Sequence, residues 1–206
     1  MVRVRMANPP TKPTMKERIL ETADRLFYLK GIRAIGVDTI AAEIGISKRT
    51  LYNHFPSKDA LISAYLERRF VQRPASDKPP VEQILGVFDS LERRFARNDF
   101  RGCPFVNAVA EVGNESKSVR KIAVAFKESR RLWFRDLLIQ IGVGDPEGLA
   151  TQLVLLVDGS IAQDLVRDDP MMARAAKEAA KVLLAGAGVR LDGSPSSSRE
   201  KSRTKA

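Results

Sequence analysis

The stretch from Gly36 to Phe55, GVDTIAAEIGISKRTLYNHF, contains two short apolar patterns separated by a single glycine. Its first half has the period of a helix over residues 37–44, with a buried face formed by Val37, Ile40, Ala41 and Ile44. Gly45 can adopt the left-handed conformation that lets two helices meet at a sharp angle, and Ile46 then points back into the core. Ser47 is well suited to cap the next helix, over residues 48–54. The pattern predicts a helix-turn-helix.

The second helix of this pair carries the functional prediction, because the second helix of a helix-turn-helix lies in the major groove of DNA. Its apolar contacts are Leu51 and Phe55, which leaves its polar side chains facing outward. Arg49 can make two hydrogen bonds to a guanine edge, and Asn53 can make two to adenine. Thr50 can offer a methyl group to thymine or a hydroxyl to a base or phosphate. By residue type alone, Lys48, Tyr52 and His54 are phosphate contacts.

A second phosphate site is predicted just after this helix. Ser57 caps a further helix, and the free backbone N–H groups of its first turn, with Lys58 beside them, can bind an anion.

Residues 45–61, GISKRTLYNHFPSKDAL, resemble the most recognisable stretch of the tetracycline-repressor (TetR) family, and the similarity extends from about Met15 to Leu66. The resemblance implies a three-helix DNA-binding domain, a variable all-α domain for ligand binding and dimerisation, and repression relieved by an effector. It also implies base contacts at Lys48, Arg49 and Thr50. The phosphate contacts that it implies are Tyr52, His54 and Lys58. Our predicted base contacts are therefore Lys48, Arg49, Thr50 and Asn53, and our predicted phosphate contacts are Ser47, Tyr52, His54 and Lys58.

The sequence departs from the family at Gly36, where relatives usually carry a Thr or Ser that caps the second helix and often touches phosphate. Glycine permits the turn but gives a weaker cap, so that phosphate contact is in doubt. Asp38 stands where some relatives have a basic residue, which argues against base reading by the second helix.

The composition excludes several classes of protein. The chain has 206 residues with one cysteine and one histidine, so an internal disulfide or a Cys/His metal cluster is excluded. No segment approaches the roughly 18 uninterrupted apolar residues of a membrane span, and the N-terminus lacks the apolar core of a secretory signal. We expect a cytoplasmic protein with no metal, no cofactor and no membrane contact.

The net charge of +10 is concentrated at the two ends of the chain. Residues 1–73 carry 14 Lys and Arg against 7 Asp and Glu, whereas residues 74–188 carry 16 of each. A neutral body with a basic N-terminal end is typical of a protein that binds a polyanion. A solvated basic surface that only maintains solubility is the alternative.

Proline punctuation and helical periodicity divide the chain into segments, and strand-like alternation is absent, so the predicted fold is all-α. Residues 1–13 form a flexible basic arm and residues 14–60 the DNA-binding domain, with a connecting helix over 58–73. A proline-rich linker precedes a helical effector-binding and dimerisation domain at 81–187, and a disordered basic tail follows at 188–206. Whether the arm and the tail touch DNA is left open.

The C-terminal domain carries aromatic residues that could line an apolar cavity with a few polar anchors. The predicted effector pocket consists of Phe88, Phe95, Phe105, Asn107, Phe126, Arg130 and Trp133. Each aromatic could equally be an ordinary core residue, and Cys103 could be a redox sensor or a buried, inert thiol. The last two helices, about 147–167 and 170–187, are rich in small residues and predict a four-helix homodimer interface.

The resulting hypothesis is a transcriptional regulator, most simply a dimeric repressor that a small molecule releases from a palindromic operator in double-stranded DNA. Two alternatives remain: an architectural protein that coats DNA without an effector, and a small enzyme in the C-terminal domain. The enzyme is disfavoured because no carboxylate pair, triad or metal-ligand spacing is present, and His54 has no partner at catalytic spacing.

Overall fold

The computed structural model describes residues 13–72 and 75–191, and every element in these ranges is a helix or a connection between helices. The predicted arm and tail lie almost wholly outside the described residues. The helices are α1 (Met15–Lys30), α2 (Val37–Glu43), α3 (Lys48–His54), α4 (Lys58–Arg69), α5 (Pro80–Phe95), α6 (Pro104–Val112), α7 (Lys117–Gln140), α8 (Pro146–Arg167) and α9 (Met171–Gly186). The all-α prediction is confirmed.

Helix α1 begins at a capping box formed by Thr14 and Glu17. The Thr14 hydroxyl accepts a hydrogen bond from the Glu17 backbone N–H, and the Glu17 carboxylate accepts one from the Thr14 backbone. These two bonds satisfy backbone groups that a helix N-terminus otherwise leaves unpaired. The buried face of α1 includes Ile19, Ala23, Leu26 and Phe27, and it packs against α2 and α4.

Helix α4 joins the N-terminal three-helix unit to the rest of the molecule. Arg69, its last residue, makes two hydrogen bonds to the Asp24 carboxylate of α1, at 2.6 and 2.9 Å, and its guanidinium lies 4.2 Å from the centre of the Tyr28 ring. The helix ends at Arg69 rather than at the predicted Arg73. Phe70 leaves the helix because its ring packs edge-on against Phe105 and Phe126, at 6.3 and 5.6 Å.

Helices α5 to α9 form the larger helical body. Its core includes Phe88, Phe134, Leu153 and Leu184, none more than 1% exposed. Asp145 caps α8 by accepting a hydrogen bond from the Gly148 N–H, with Pro146 in the first turn. Helix α9 begins at Met171, one residue later than predicted, because Pro170 occupies the cap position.

Candidate nucleic-acid interface and effector cavity

The turn between α2 and α3 has the predicted geometry. Gly45 has φ of +71°, which a residue with a side chain rarely adopts, and the Ser47 hydroxyl accepts a hydrogen bond from the Thr50 N–H at 3.0 Å. Leu51 and Phe55 anchor α3 on the core and are almost fully buried. Helix α3 is therefore fixed by its apolar side, and its polar side is free of that packing.

The polar side of α3 faces solvent. Lys48, Arg49, Asn53 and His54 are exposed, as is Tyr52. Thr50 is half-buried, and its hydroxyl lies 2.8 Å from the hydroxyl of Ser47. These residues form one continuous surface, which we call the α3 face: Ser47, Lys48, Arg49, Thr50, Tyr52, Asn53 and His54. It brings together every predicted DNA-contacting residue except Lys58.

An ion pair that sequence reasoning missed crosses this surface. The Lys48 Nζ lies 3.0 Å from a carboxylate oxygen of Asp38, which belongs to the first turn of α2. The hydrogen bond to Asp38 raises the pKa of Lys48 and holds its amine against the first turn of α2. Residue spacing offered no signal for it, because the two residues are on different helices.

Lys58 lies at the N-terminus of α4, but its amine is turned toward the protein. The Nζ donates to the backbone carbonyl of Ile32 at 2.7 Å, and partial burial lowers the pKa of the amine. Ser57 caps α4 as predicted, since its hydroxyl accepts from the Ala60 N–H. An anion at this helix end would therefore meet backbone N–H groups first and the Lys58 amine only after that amine leaves Ile32.

Three of the seven predicted effector-pocket residues line one cavity of about 350 Å³, namely Phe105, Phe126 and Arg130. The cavity lies where α1 and α4 meet the helical body, and Cys103 forms part of its wall. We call it the junction cavity. The cavity is also lined by charged residues from three helices, α1, α4 and α5, which sequence spacing could not bring together: Asp24, Arg68, Arg69 and Arg94.

The other four predicted pocket residues do not line the junction cavity. Phe88 and Phe95 are buried in the core of the helical body. The Asn107 amide donates to the backbone carbonyl of Arg101 at 2.6 Å and so holds the loop before α6. Trp133 is half-buried and packs against Phe134, with ring centres 5.1 Å apart.

A second cavity, of about 570 Å³, lies between α6, α7 and α8. Its apolar wall includes Phe105, Val109, Val124 and Leu155, and its rim is charged. It shares only Phe105 with the predicted effector set, so this cavity is not the predicted pocket.

Comparison with known proteins agrees with this geometry. The family model described as bacterial regulatory proteins of the tetR family matches residues 19–65. A TetR-family transcriptional regulator from Streptomyces coelicolor is 33% identical, with a TM-score of 0.72 over 82% of this chain and 94% of that one. A candidate TetR regulator from Streptomyces avermitilis is 31% identical, with a TM-score of 0.78 over 86% of this chain and all of the other. The chain belongs to the TetR family.

The similarity also extends to curated sequences. The HTH-type transcriptional regulator YxaF of Bacillus subtilis is 27% identical over 165 residues, which is 75% of this chain and 86% of that protein. As a TetR-family member, the protein is a transcriptional regulator that binds DNA through its helix-turn-helix, not an enzyme. The family binds DNA as dimers and responds to small-molecule effectors.

The departure from the TetR pattern at Gly36 has the expected structural consequence. Gly36 is the N-cap of α2 and makes no side-chain hydrogen bond to the helix. The first turn of α2 carries the exposed Asp38 carboxylate next to the exposed Thr39. A phosphate that approaches this helix end would therefore meet a negative charge.

Proposed function

We propose that this TetR-family protein is a dimeric repressor that binds a palindromic operator through the α3 face and is released by a small-molecule effector. The observation that carries the proposal is the division of α3 into a buried side, formed by Leu51 and Phe55, and an exposed polar side. Such a helix can enter the major groove without disturbing the core that holds it.

The exposed residues differ in how freely they can reach a base. Arg49 and Asn53 are exposed and suit guanine and adenine edges respectively. Lys48 has first to leave Asp38. Tyr52 and His54 suit phosphates, while Ser47 and Lys58 lie at helix N-termini, where backbone N–H groups add to an anion site.

Helices α8 and α9 offer the surface for a dimer. Exposed residues recur along α8 at alternating three- and four-residue steps, the spacing of a seam between packed helices. The series is Gln152, Leu155, Gly159, Ala162 and Val166. A similar exposed series on α9 is Met171, Ala175, Glu178, Val182 and Ala185.

The composition of α8 supports a second packing partner. Among the described residues it is the one helix long and apolar enough to cross a membrane by length and composition alone, yet part of it is buried in this fold. A helix that is apolar on all sides needs burial on all sides. One side of α8 packs on α7 and α9, and the exposed series suits the same surface of a second copy.

A dimer also gives the selectivity that a single α3 lacks. One seven-residue helix reads only a few base pairs, whereas a two-fold pair reads an inverted repeat with half-sites about 34–36 Å apart, or a multiple of that spacing. The proposed operator is therefore palindromic.

Selection of bound duplexes from a random pool tests the DNA-binding part of the proposal. The expected result is enrichment of an inverted repeat. Arg49→Ala should relax the preference at one position in each half-site, because one bidentate base contact is worth about 1–3 kcal/mol of discrimination. The matched control is Arg25→Ala, which removes an exposed arginine of the same domain that pairs with Glu43. No enriched sequence at any salt concentration would favour the architectural alternative.

Sedimentation of the full chain tests the dimer. Leu155→Glu, alone or with Val182→Glu, should shift the protein from dimer to monomer and weaken operator binding, because a charge would be buried at the seam. Ile139→Glu is the control, since Ile139 is similarly exposed but lies on α7. A monomeric wild-type protein, or a Leu155→Glu variant that stays dimeric, would contradict this interface.

Release by the effector requires only that the effector prefer the form that does not fit the operator. A tenfold loss of DNA affinity corresponds to about 1.4 kcal/mol of coupling, which a buried small molecule can supply.

A further inference from the structure

The junction cavity has an unusual balance of charge. Four arginines line it, Arg68, Arg69, Arg94 and Arg130, together with one carboxylate, that of Asp24. Asp24 is already engaged, because both of its oxygens accept hydrogen bonds from Arg69. The other three guanidinium groups therefore have no lining carboxylate left to balance them.

Arg130 is the most deeply placed of these groups. Its side chain is 12% exposed, and its Nη1 is buried with no hydrogen-bond partner among the residues that the structure describes. The Asp158 carboxylate lies 3.9 Å from Nη1, which is too long for a hydrogen bond, and it already accepts one from Lys127 at 2.6 Å. Burial lowers the pKa of the Arg130 guanidinium, which agrees with a cation held without adequate compensation.

Another part of the cavity wall is apolar and aromatic. The Phe105 and Phe126 rings stack with their centres 3.7 Å apart, and the Arg130 guanidinium lies 4.9 Å from the centre of Phe126. Ile161 and Pro104 complete this wall. The cavity is thus lined by an incompletely hydrogen-bonded guanidinium beside an aromatic wall, and its volume is at the low end of the range for small-molecule sites.

We propose that the junction cavity binds an organic acid, whose carboxylate pairs with Arg130 and whose apolar body packs against Phe105 and Phe126. Arg68 and Arg94 are exposed residues of the lining, and they attract an anion toward the cavity. This inference rests on the proposed function, because it names the chemical class of the effector. It does not depend on whether the acid releases DNA.

A neutral ligand would not serve the site equally well. A neutral molecule placed over Arg130 would leave the guanidinium with only the Phe126 ring and the more distant Asp158 carboxylate, whereas a bound carboxylate would supply a charge-assisted hydrogen bond. The larger cavity between α6, α7 and α8 is mostly apolar and has no comparable buried, unpaired donor among its described lining residues, so an acid is better matched to the junction cavity.

The test compares acids with their uncharged amides on the full-length protein. The probes are 2-naphthoate, decanoate, 2-naphthamide and decanamide, with inorganic phosphate as a simple anion. Binding is followed by thermal shift and by the fluorescence of Trp133, the single tryptophan, which lies one turn from Arg130 on α7. The expected result is that at least one acid binds about ten- to a hundredfold more tightly than its amide.

Arg130→Met removes the charge and keeps the approximate length of the side chain. Acid binding should fall to the level of the amide. The ligand-free variant should melt about 2–4 °C higher than the wild type, because a buried cation with no hydrogen-bonded carboxylate is lost. A merely structural arginine would give a lower melting temperature instead. Arg93→Met is the matched control, since Arg93 is exposed on α5 and lies outside the cavity lining.

Four results would overturn the proposal: amides that bind as tightly as acids, acids that bind Arg130→Met unchanged, phosphate that binds as tightly as the acids, or no acid bound at millimolar concentration. Operator binding, measured in parallel, separates this inference from the proposed function. Release of DNA by an uncharged compound, but not by a bound acid, would leave the repressor proposal intact and refute the acid as the effector. An acid that binds through Arg130 without releasing DNA would leave the binding site intact and refute its role in release.

Discussion

We expect Asp38 to weaken DNA binding, so that Asp38→Asn should bind DNA more tightly than the wild type. The Asp38 side chain is 70% exposed and that of Lys48 is 52% exposed, with 3.0 Å between the paired atoms. Exposed ion pairs of this kind contribute little to folding, so the variant should melt close to the wild type. It should nevertheless free a cation on the α3 face and remove an anion that repels phosphate.

The size of the effect follows from counterion release. Each additional phosphate that a protein neutralises steepens the dependence of log K on log salt by about 0.9. If Lys48 gains one phosphate or groove contact, the variant should bind more tightly than the wild type at low salt. That advantage should shrink about 3.5-fold between roughly 50 and 200 mM salt.

Fluorescence anisotropy with a labelled operator duplex and a scrambled duplex, over a series of salt concentrations, measures both the affinity and the slope. Asp136→Asn is the control, because it changes the net charge equally. Asp136 lies about 27 Å along α7 from Ser118, whose hydroxyl bonds Asp59 of the DNA-binding unit. Weaker binding by Asp38→Asn, or a slope equal to that of Asp136→Asn, would refute the reasoning and assign Asp38 to positioning Lys48 for a base.

Three further changes test the packing beneath the site. Leu51→Ala should destabilise the protein by about 2–5 kcal/mol in urea titration, because it empties a fully buried position under α3; a cost below 1 kcal/mol would contradict that burial. Tyr28→Phe should cost about 1–2 kcal/mol, since the hydroxyl exchanges two hydrogen bonds with residues 101–102; unchanged stability would mean that water replaces them. Asp164→Asn should stabilise by about 1 kcal/mol at pH 7, because a carboxylate oxygen is buried without a described partner and burial, with nearby Asp168 and Asp169, raises the pKa of Asp164. Because the folded pKa of Asp164 is raised, the wild type is destabilised only as pH rises above the pKa of this group in the unfolded chain, where Asp164 ionises. The gain from Asp164→Asn should therefore vanish in acid. A gain that persists in acid, or that also appears in Asp168→Asn, would show that the ionisation of Asp164 is not its cause.

The local features of the DNA-binding unit were predictable because their causes lie within a few residues. The capping box of α1 needs only Thr14 and Glu17, and the turn before α3 needs only Gly45 and Ser47. Each signal acts through a backbone hydrogen bond or a φ angle that neighbouring residues determine. The outward orientation of the α3 face followed in the same way from the two apolar anchors beneath it.

The partners of the exposed cations were not predictable, because each comes from another element. The Lys48 amine donates to the Asp38 carboxylate, and the Lys58 amine donates to the backbone carbonyl of Ile32. Both contacts depend on the path of the loops between helices, which the spacing of apolar residues does not specify. The effector cavity shows the same limit: aromatic periodicity identifies apolar faces but not which faces meet. Phe88 therefore lies in the core, whereas Phe126 lines the junction cavity.

The position of the junction cavity predicts that its occupancy and DNA binding are thermodynamically linked. Its wall combines residues of α1 and α4 with residues of the helical body, so any rotation of the DNA-binding unit against that body changes the cavity. The Tyr28 hydroxyl of α1 donates to the Gly102 carbonyl, next to Cys103, and the Arg33 backbone N–H donates to the Glu111 carboxylate of α6. These hydrogen bonds connect the DNA-binding unit directly to the helical body. An occupant that fits one arrangement better must favour it, and linkage is reciprocal. Saturating operator should therefore weaken binding of the acid, by the same factor by which the acid weakens binding of the operator. An acid that binds the dimer equally tightly with and without saturating operator, at one salt concentration, would show that the junction cavity and the DNA-binding unit are not coupled.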